Sequence, residues 1–206
     1  MVILNPNVSA DISAGRPLRI DLGGGTRPRA GYYSIDCARE VNPDIYADLS
    51  EPLNCIPDNS VSHLFSSHVL EHVRDLVTTM EEIHRIAIPN CEIEIVVPHF
   101  SNIYGYSDPT HVRLFGLYTM SYFSPIQEQP KRKVPSYYSR ARFKVLATTI
   151  EFYRRGRIDS LLAGLAERLV NRSFAMQERY ERRLAAFFHA RQMRFLLRPL
   201  KGVPAG

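Results

Sequence analysis

A glycine-rich turn, followed closely by an aspartate, most constrains the fold of this chain. Leu18, Ile20 and Leu22 alternate in a way that predicts a short buried parallel strand, and Gly23–Gly25 follow it directly. Glycine leaves bare backbone against which a ligand can lie, and it adopts positive φ without steric cost. A second apolar run ends in Asp36, a carboxylate placed where a ribose diol would bind. The two runs predict an adenosine pocket at the carboxyl ends of neighbouring strands of an open α/β sheet.

The spacing of these features argues against a dinucleotide cofactor. Dinucleotide sites read G-x-G-x-x-G within a βαβ unit of about 30 residues, and their acidic residue follows about 20 residues later. Here Asp36 comes 11 residues after Gly25, and Pro28 and Gly31 interrupt the segment where a crossover helix would run. Without that helix there is no helix N-terminus to bind a pyrophosphate. The sequence therefore predicts an adenosine cofactor without phosphates.

Further motifs complete a pattern that resembles a known family. Segment 45–49 predicts a third strand ending in Asp48-Leu49, segment 57–60 predicts a turn, and segment 61–67 predicts a fourth strand that runs into Ser67-His68-Val69-Leu70-Glu71-His72. Over roughly residues 18–123 this set resembles the class I S-adenosylmethionine-dependent methyltransferases. The resemblance is strongest to their small type-11-like branch, which is associated with glycan and lipopolysaccharide biosynthesis.

The resemblance implies a fold and a cofactor. The fold is α/β and Rossmann-like, a methyltransferase fold with a mostly parallel sheet, an antiparallel last strand and helices on both faces. The cofactor is S-adenosyl-L-methionine. One departure from the family pattern is the turn before the fifth strand, where this chain has Ile88-Pro89-Asn90-Cys91 instead of lysine-proline-glycine-glycine.

Physical roles for the cofactor-binding residues accompany this resemblance. Asp36 would accept charge-assisted hydrogen bonds from both ribose hydroxyls. Asp48 would face the adenine amino group with Leu49 against the ring, although a plain turn acid is the alternative for Asp48. Asp21 would lie near the ammonium and sulfonium end of the cofactor. The predicted cofactor-binding residues are Asp21, Gly23, Gly24, Gly25, Asp36, Asp48, Leu49, Ser67 and His68.

Histidines in the predicted loops are candidates for a general base. A sugar hydroxyl is a poor nucleophile while protonated, and a positioned base adds about 10²–10⁴-fold to the rate. We predict that His111 is this base and that Asp108 orients it, because Asp108-Pro109-Thr110-His111 resembles a stretch that borders the acceptor pocket of the same branch. His99 is the second candidate. The alternative is that Asp108 and His111 cap a turn and a helix, and with no further ligands near them we predict no metal site.

Hydrophobic periodicity and turn residues predict the remaining elements. In order, these are a helix over 74–87, strands over 92–97 and 143–153 on either side of a long loop region, helical segments over 158–190, and a last strand over 193–197. A chain of 206 residues is long enough to bury its own core. We expect one methyltransferase domain over 1–206, with a cofactor-binding half (1–98), acceptor-site loops (99–142), and final strands with basic helices (143–206).

Charge is distributed unevenly along the chain. Residues 1–130 carry 8 Lys/Arg against 16 Asp/Glu, whereas residues 131–206 carry 18 against 5. A basic final third favours an anionic partner: an anionic small-molecule or glycan acceptor, a peripheral contact with a membrane surface, or another polyanion. Solvated helix faces are the alternative explanation. The oligomeric state stays open from the sequence, a homodimer included.

Cysteine usage and the N-terminus predict a cytoplasmic protein. Cys37, Cys55 and Cys91 are odd in number and lack metal-ligand spacing, which is typical of reduced cytosolic thiols. The apolar run that begins at Met1 is too short for a signal peptide and lacks a basic n-region.

The predicted function is S-adenosylmethionine-dependent methyl transfer to a hydroxyl of a sugar, a glycan or a glycosylated small molecule. Two alternatives stay open: an RNA methyltransferase that uses the basic final third, and a non-catalytic scaffold that binds the cofactor. The segment Ser66-Ser67-His68-Val69 lacks the Asn/Asp-Pro-Pro-aromatic stretch of amino-directed base methylases. It also lacks the cysteine nucleophile of pyrimidine C5 methylases.

Overall fold

Residues 1–202 are described by a computed structural model, in which strands from both ends of the chain join one sheet. The elements in chain order are β1 (Val2–Ile3), α1 (Pro6–Ser13), β2 (Leu18–Leu22), β3 (Tyr33–Asp36), β4 (Ile45–Tyr46), β5 (Val61–Ser67), α2 (Leu76–Ile86), β6 (Ala87–Pro98), β7 (Phe143–Phe152), α3 (Gly156–Val170), α4 (Phe174–Arg183) and β8 (Ala190–Pro199). Residues 203–206, the end of the predicted domain, lie outside the described residues.

The sheet has eight strands in the order β1-β4-β3-β2-β5-β6-β8-β7. Six strands run in one direction, while β8 is antiparallel to both β6 and β7, and β1 is antiparallel to β4. The predicted Rossmann-like methyltransferase fold, with its mostly parallel sheet and antiparallel last strand, is confirmed. The strand order reverses beside β2, which has β3 on one side and β5 on the other. Such a switch point leaves a crevice at the carboxyl ends of the strands where ligands bind.

Alternation along β2 explains why this strand lies at the centre of the sheet. Leu18, Ile20 and Leu22 are fully buried and pack in the main hydrophobic core, whereas Arg19 is exposed. The segment 23–32 that links β2 to β3 contains no helix, as the proline and glycine in it predict. The carboxyl end of β2 therefore meets a short turn and not the N-terminus of a crossover helix.

Helix α2 follows from a capping residue and an apolar stripe. Asp75 is the N-cap and accepts a hydrogen bond from the Thr78 N–H at 3.0 Å. Met80 and Ile83 lie on its buried face. The helix predicted over 74–87 is confirmed within one or two residues at each end.

The turn predicted at Ile88–Cys91 is wrong. Ala87 leaves the helix directly into extended backbone and pairs with Val61, so β6 begins at once. Residues 88–91 then form a bulge. Val61 of β5 pairs with Ala87 of β6, but His63, two residues later, pairs with Glu92, which is five residues after Ala87. The proline is accommodated in this bulge, where the ladder is already broken.

The second half of the chain also resembles the prediction in outline. Residues 99–142 form a long loop region with 3₁₀ helices at Ile103–Tyr106, Thr119–Phe123 and Ile126–Glu128. The predicted helical segment 158–190 is two helices, α3 and α4, between the predicted strands β7 and β8. Within residues 1–202, none of the helices is both long and apolar enough to cross a bilayer.

Candidate functional site

A pocket of ≈ 430 Å³ opens at the carboxyl ends of β2, β3, β4 and β5. This volume lies within the range of small-molecule sites, about 300–1,000 Å³. Five of the predicted cofactor-binding residues line it, namely Gly23, Asp36, Asp48, Leu49 and His68. The other lining residues are Ile35, Cys37, Ala47, Ser50, Val69, His72, Val73 and Arg74. The fold thus brings the four predicted strand ends to one place.

Gly23 allows the turn after β2 to pass close to the segment after β5. Its φ is +66°, and a Cβ atom placed on it would lie 2.2 Å from Cγ2 of Val69. No other residue type fits this contact, and none other adopts this φ without strain. The predicted close approach was to a cofactor, and it stays a prediction; the neighbour that the structure shows at Gly23 is the Val69 side chain.

His68 also has a strained backbone, with φ of +57°. Its N–H donates to the carbonyl of Val96 at 2.9 Å, which holds this conformation at the end of β5. Its Nε2 lies 3.0 Å from Oε1 of Gln192, and the Gln192 amide in turn donates to Glu151. Non-glycine residues with positive φ concentrate at ligand sites, where the surrounding structure maintains the strain. This turn therefore aims the imidazole at the pocket wall.

Asp36 fits the role of a ribose ligand. Its Oδ2 accepts a hydrogen bond from the Gly25 N–H at 3.0 Å, and its Oδ1 accepts one from the Ala38 N–H at 2.9 Å. A carboxylate has about four lone-pair positions, so each oxygen keeps one for a ligand hydroxyl. The same side chain thus ties the glycine turn to β3 and keeps acceptor capacity at the pocket.

Asp48 and Leu49 supply a polar and an apolar contact at the other end of the pocket. Oδ1 of Asp48 accepts hydrogen bonds from the Ser50 hydroxyl at 2.6 Å and from the Ser50 N–H at 2.8 Å. These two bonds keep the pKa of Asp48 below its usual value, so the side chain is ionised near neutral pH. Leu49 packs against the core beside it.

Four predicted cofactor residues do not line the pocket. Asp21 is buried, and its Oδ2 accepts a hydrogen bond from the Arg29 N–H at 2.7 Å. Burial raises the pKa of Asp21. Gly24 and Gly25 lie in the turn, and Ser67 is the last residue of β5. In this structure Asp21 therefore holds the 23–32 segment in place, which differs from its predicted contact with the cationic end of the cofactor.

His99 is separate from the pocket, which corrects its prediction as a second candidate base. It is buried, its Nδ1 lies 2.8 Å from the Ser101 hydroxyl, and its Nε2 lies 3.3 Å from Oε1 of Glu181 on α4. Both ring nitrogens are thus engaged in a network that packs the loop after β6 against α4. The sequence shows that His99 follows a strand but not which face the chain turns to afterwards.

His111 lies beside the pocket, in a cluster with Glu71 and His72. One ring nitrogen of each histidine and one Glu71 oxygen lie within 4.8 Å of one another, and the two rings pack edge to face at 4.8 Å. His72 lines the pocket, so the cluster borders it directly. Glu71 is 1% exposed, and neither of its oxygens has a hydrogen-bond partner among the described residues. Glu71 is the functional candidate that the sequence does not single out.

Asp108 does not orient His111 as predicted. Its Oδ1 accepts hydrogen bonds from the Thr110 N–H at 2.9 Å and the Thr110 hydroxyl at 2.5 Å, which is the turn-capping alternative. Its Oδ2 is 3.7 Å from Nε2 of His111, too far for a hydrogen bond. Asp108 is instead linked to His72 through Thr110, whose hydroxyl donates to Asp108 and lies 2.8 Å from Nδ1 of His72.

Comparisons with known proteins agree with this architecture. The methyltransferase domain family matches residues 32–94. A solved SAM-dependent methyltransferase from Archaeoglobus fulgidus is similar with a TM-score of 0.54 and 16% identity, over 94% of this chain and 91% of that chain. The fold is that of a class I methyltransferase. The YcgJ protein from Bacillus subtilis is similar with a TM-score of 0.49 and 11% identity, over 94% of this chain and 97% of that chain. No curated protein is significantly similar in sequence.

The family match covers part of the pocket and begins after the glycine turn. Residues 32–94 include Asp36 at the end of β3 and Asp48-Leu49 after β4. Together with the fold, this match supports S-adenosylmethionine as the cofactor and methyl transfer as the reaction class. The residues present fit it: a carboxylate that keeps acceptor capacity for a diol, an ionised second acid, and apolar walls at Leu49 and Val69.

Proposed function

We propose that this protein is an O-methyltransferase that methylates a hydroxyl of a sugar or glycan. The observation that carries the proposal is that the cofactor pocket and the cluster of Glu71, His72 and His111 are adjacent. The adenosine pocket, with Asp36 and Asp48, shares His72 with a cluster of proton-accepting side chains, Glu71 and His111. A cofactor pocket that borders a base is the arrangement that methyl transfer to a hydroxyl requires.

Different pocket residues would bind different parts of the cofactor. Asp36 would hold the ribose hydroxyls and Asp48 the adenine amino group, with Leu49, Val69 and Val73 as the apolar walls. Bound S-adenosylmethionine supplies a methyl group activated by its sulfonium. Holding this group in line with an acceptor oxygen accounts for most of the expected acceleration, up to about 7–11 kcal/mol.

His111 would take the acceptor proton. Its Nε2 lies 4.0 Å from Oε1 of Glu71 and 3.7 Å from Oδ2 of Asp108, so two carboxylates face the nitrogen. An imidazole that accepts a proton at Nε2 becomes a cation, and these carboxylates stabilise it, Glu71 most because it is buried. The side chain of His111 is 13% exposed, which restricts access by bulk water.

The loop that carries His111 favours a polyol acceptor. Tyr104 and Tyr106 are exposed in the same loop, on either side of Gly105, whose Cβ position is 3.9 Å from Nδ1 of His111. Tyrosine offers a flat apolar ring and a hydroxyl, the two kinds of contact that a sugar ring can use. Arg155 stacks on Tyr104 at 5.3 Å, which adds a positive charge for an anionic acceptor.

A methyl-transfer screen tests the proposal. Purified protein with labelled S-adenosylmethionine is offered nucleotide sugars, free glycans and RNA. We expect transfer to a carbohydrate hydroxyl, with a kcat about 10²–10⁴-fold lower in His111→Ala and an unchanged affinity for S-adenosylhomocysteine. His63→Ala, on the body of β5, is the matched control.

Each other outcome of the screen points elsewhere. Transfer to RNA alone would replace the proposal with the RNA alternative. Cofactor binding without transfer to any acceptor would favour a scaffold. A full kcat in His111→Ala would show that this histidine is not the base.

A further inference from the structure

We propose that Glu71, His72 and His111 bind a divalent transition-metal ion at the edge of the cofactor pocket. Their candidate ligand atoms lie within 4.8 Å of one another, although the residues come from two segments about 40 positions apart in the chain. Two imidazoles and one carboxylate form a ligand set typical of catalytic zinc and non-haem iron sites. The sequence alone predicts no metal, because it shows only Asp108 and His111 close together.

The state of Glu71 is the second observation that points to a cation. The side chain is 1% exposed, and neither oxygen has a hydrogen-bond partner among the described residues. A buried carboxylate is strongly destabilised unless a donor or a cation compensates for the lost water. Glu71 is in addition aimed at two imidazoles, with Oε1 at 3.3 Å from Nδ1 of His68 and 4.0 Å from Nε2 of His111. A bound ion would give Glu71 a closer partner than the His68 imidazole at 3.3 Å.

The contacts of His72 prepare one of its nitrogens for a metal. The Thr110 hydroxyl donates its single hydrogen to Asp108, so toward His72 it acts as an acceptor. Nδ1 of His72 must then carry a proton, which leaves the lone pair on Nε2. Metal-ligating histidines are usually held in this way, with the second nitrogen donating into a hydrogen-bonded carboxylate system.

The cluster needs only a small contraction to enclose an ion. Metal–nitrogen and metal–oxygen distances near 2.1 Å place ligand atoms about 3.4 Å apart in a tetrahedral site. The Glu71–His111 distance of 4.0 Å exceeds this by about 0.6 Å, and the other separations, which reach at most 4.8 Å, exceed it by up to about 1.4 Å, so the side chains must rotate toward the ion. His68 also faces Glu71 at 3.3 Å and is the competing partner, so His68→Ala is titrated with the other variants and should still bind Co²⁺.

The role of the ion rests on the proposed function, whereas its binding does not. An ion at this cluster would lower the pKa of an acceptor hydroxyl that approaches it. The hydroxyl proton passes to water, the oxygen forms a bond to the methyl carbon, and the sulfur–carbon bond breaks to release S-adenosylhomocysteine. His111 would then be a ligand and not the free base.

Metal titration of the full chain tests the site without cofactor or acceptor. Protein stripped with EDTA is titrated with Co²⁺, Zn²⁺ and Mg²⁺ by calorimetry, and Co²⁺ is followed by visible absorption. We expect one Co²⁺ or Zn²⁺ per chain and much weaker binding of Mg²⁺, since imidazole ligands favour transition metals. Thr110→Val should weaken binding about 10–100-fold, and His111→Ala and His72→Ala should weaken it more. His63→Ala should bind like the wild type.

The outcomes separate this proposal from the proposed function. If the wild type binds neither Co²⁺ nor Zn²⁺, or if His111→Ala binds them equally well, the metal site is overturned. In that case, methyl transfer that continues in the presence of EDTA leaves His111 as the base. Metal binding without methyl transfer leaves the site standing and removes the function. Glu71→Gln, compared by circular dichroism and thermal melting, distinguishes lost ligation from lost folding.

A separate observation concerns an apolar stripe on α3 that faces solvent. Its residues occur at the i, i+3, i+4, i+7 and i+11 positions of one helical face and are 49–75% exposed: Ile158, Leu161, Leu162, Leu165 and Leu169. A helix of a globular protein normally packs such a stripe on its core. Here the core contacts come from Ala163 and Val170 on another face.

The charges around the stripe define its partner. Between residues 154 and 183 one acidic side chain, Asp159, is strongly exposed, and Arg154 pairs with the less exposed Glu167. The other exposed arginines of this segment are Arg155, Arg157, Arg168, Arg172, Arg179, Arg182 and Arg183. A second copy of this surface would place arginines against arginines. An apolar stripe flanked by cations instead fits the interface of an anionic bilayer. We infer that α3 lies in such an interface, with its stripe among the acyl chains.

Vesicle binding tests this inference. We expect the protein to float with phosphatidylserine-containing vesicles, to float much less with pure phosphatidylcholine, and to lose binding as salt rises. The double substitution Leu161→Glu and Leu165→Glu should abolish binding, whereas Ile126→Glu, at an exposed apolar position in the 3₁₀ helix Ile126–Glu128, should not. Failure of the wild type to bind, or a dimer in sedimentation that the double variant disperses, would overturn it.

Discussion

Gly15 and Gly23 have the same backbone conformation in different surroundings, which separates two costs of adding a side chain. Their φ values are +65° and +66°, but a Cβ on Gly15 would meet nothing within 4 Å, whereas one on Gly23 would lie 2.2 Å from Val69. Gly15→Ala should cost only the left-handed conformation, about 1–2 kcal/mol. Gly23→Ala should lower the free energy of unfolding by a further 1–3 kcal/mol or so, because the contact is overpacked.

Urea denaturation of the two variants measures this difference. The cofactor affinity of Gly23→Ala should fall as well, since its turn borders the pocket, while that of Gly15→Ala should not. Equal unfolding free energies for the two variants would show that the turn after β2 relaxes away from Val69.

Cys37 and Cys91 should differ in reactivity because of their surroundings. Cys37 is exposed and lines the pocket, whereas burial of Cys91 raises its pKa to about 12. The thiolate is the reactive form, so Cys91 stays unmodified by iodoacetamide at pH 8. Saturating S-adenosylhomocysteine should protect Cys37, as followed by peptide mass spectrometry. Unchanged alkylation of Cys37 with bound ligand would place the ligand elsewhere.

At the residue scale, the sequence predicts the pocket better than the cluster beside it. Gly23 and Asp36 could be found because each stands directly after an apolar run, and strand ends meet at one edge of a parallel sheet. Glu71, by contrast, meets His111 only through the path of the loop after β6. The hydrophobic periodicity of the sequence does not predict the path of this loop. The burial of the Glu71 carboxylate without a hydrogen bond can therefore be seen only in the folded chain.

Helix α2 depends on its N-cap. The Thr78 N–H and hydroxyl both donate to Asp75, and these bonds hold the pKa of Asp75 below its usual value. A carboxyl whose pKa is depressed by folding stabilises the fold above its unfolded pKa of about 3.9 and loses this contribution as the pH falls through the folded pKa. Asp75→Ala should cost about 0.5–2 kcal/mol at pH 7.

Asp75→Asn separates the cap from the charge, since asparagine also caps helices well. The wild type should have a higher free energy of unfolding than this variant at neutral pH, and this difference should disappear as the pH falls below about 4. Urea denaturation at several pH values measures both effects, and Asp159→Ala, an exposed acid on α3, is the control. A pH-independent difference between wild type and Asp75→Asn would show that the ionised form does not stabilise the helix.

At the element scale, the elements with clear periodicity were predicted and those set by pairing were not. The strands β2, β5, β7 and β8 are five residues or longer, and apolar side chains recur along each of them. Strand β1 has only two residues and exists because Val2 and Ile3 pair with β4, so it has no period to read. The bulge at Ile88–Cys91 was likewise invisible, because turn residues fit a bulge as well as a turn.

The whole molecule combines an acidic half that forms the pocket with a basic third that forms α3 and α4. The two are joined through β7 and β8, which extend the same sheet and share its core. The pocket and the cationic apolar surface of α3 therefore belong to parts of the chain that share one sheet and one core.

Ligand binding should stabilise the whole fold. S-adenosylhomocysteine at about 100 times its Kd adds roughly 2.7 kcal/mol to the free energy of unfolding, which for a chain of this size raises Tm by about 5–10 °C. NAD should leave Tm unchanged, because segment 23–32 has no helix whose N-terminus could bind a pyrophosphate. Asp36→Ala should lose about 1.5–3 kcal/mol of binding free energy and most of the shift at the same ligand concentration. Thermal scanning fluorimetry measures these changes in Tm, with Asp159→Ala as the control variant. A normal Tm shift in Asp36→Ala would mean that the ribose is held by other residues.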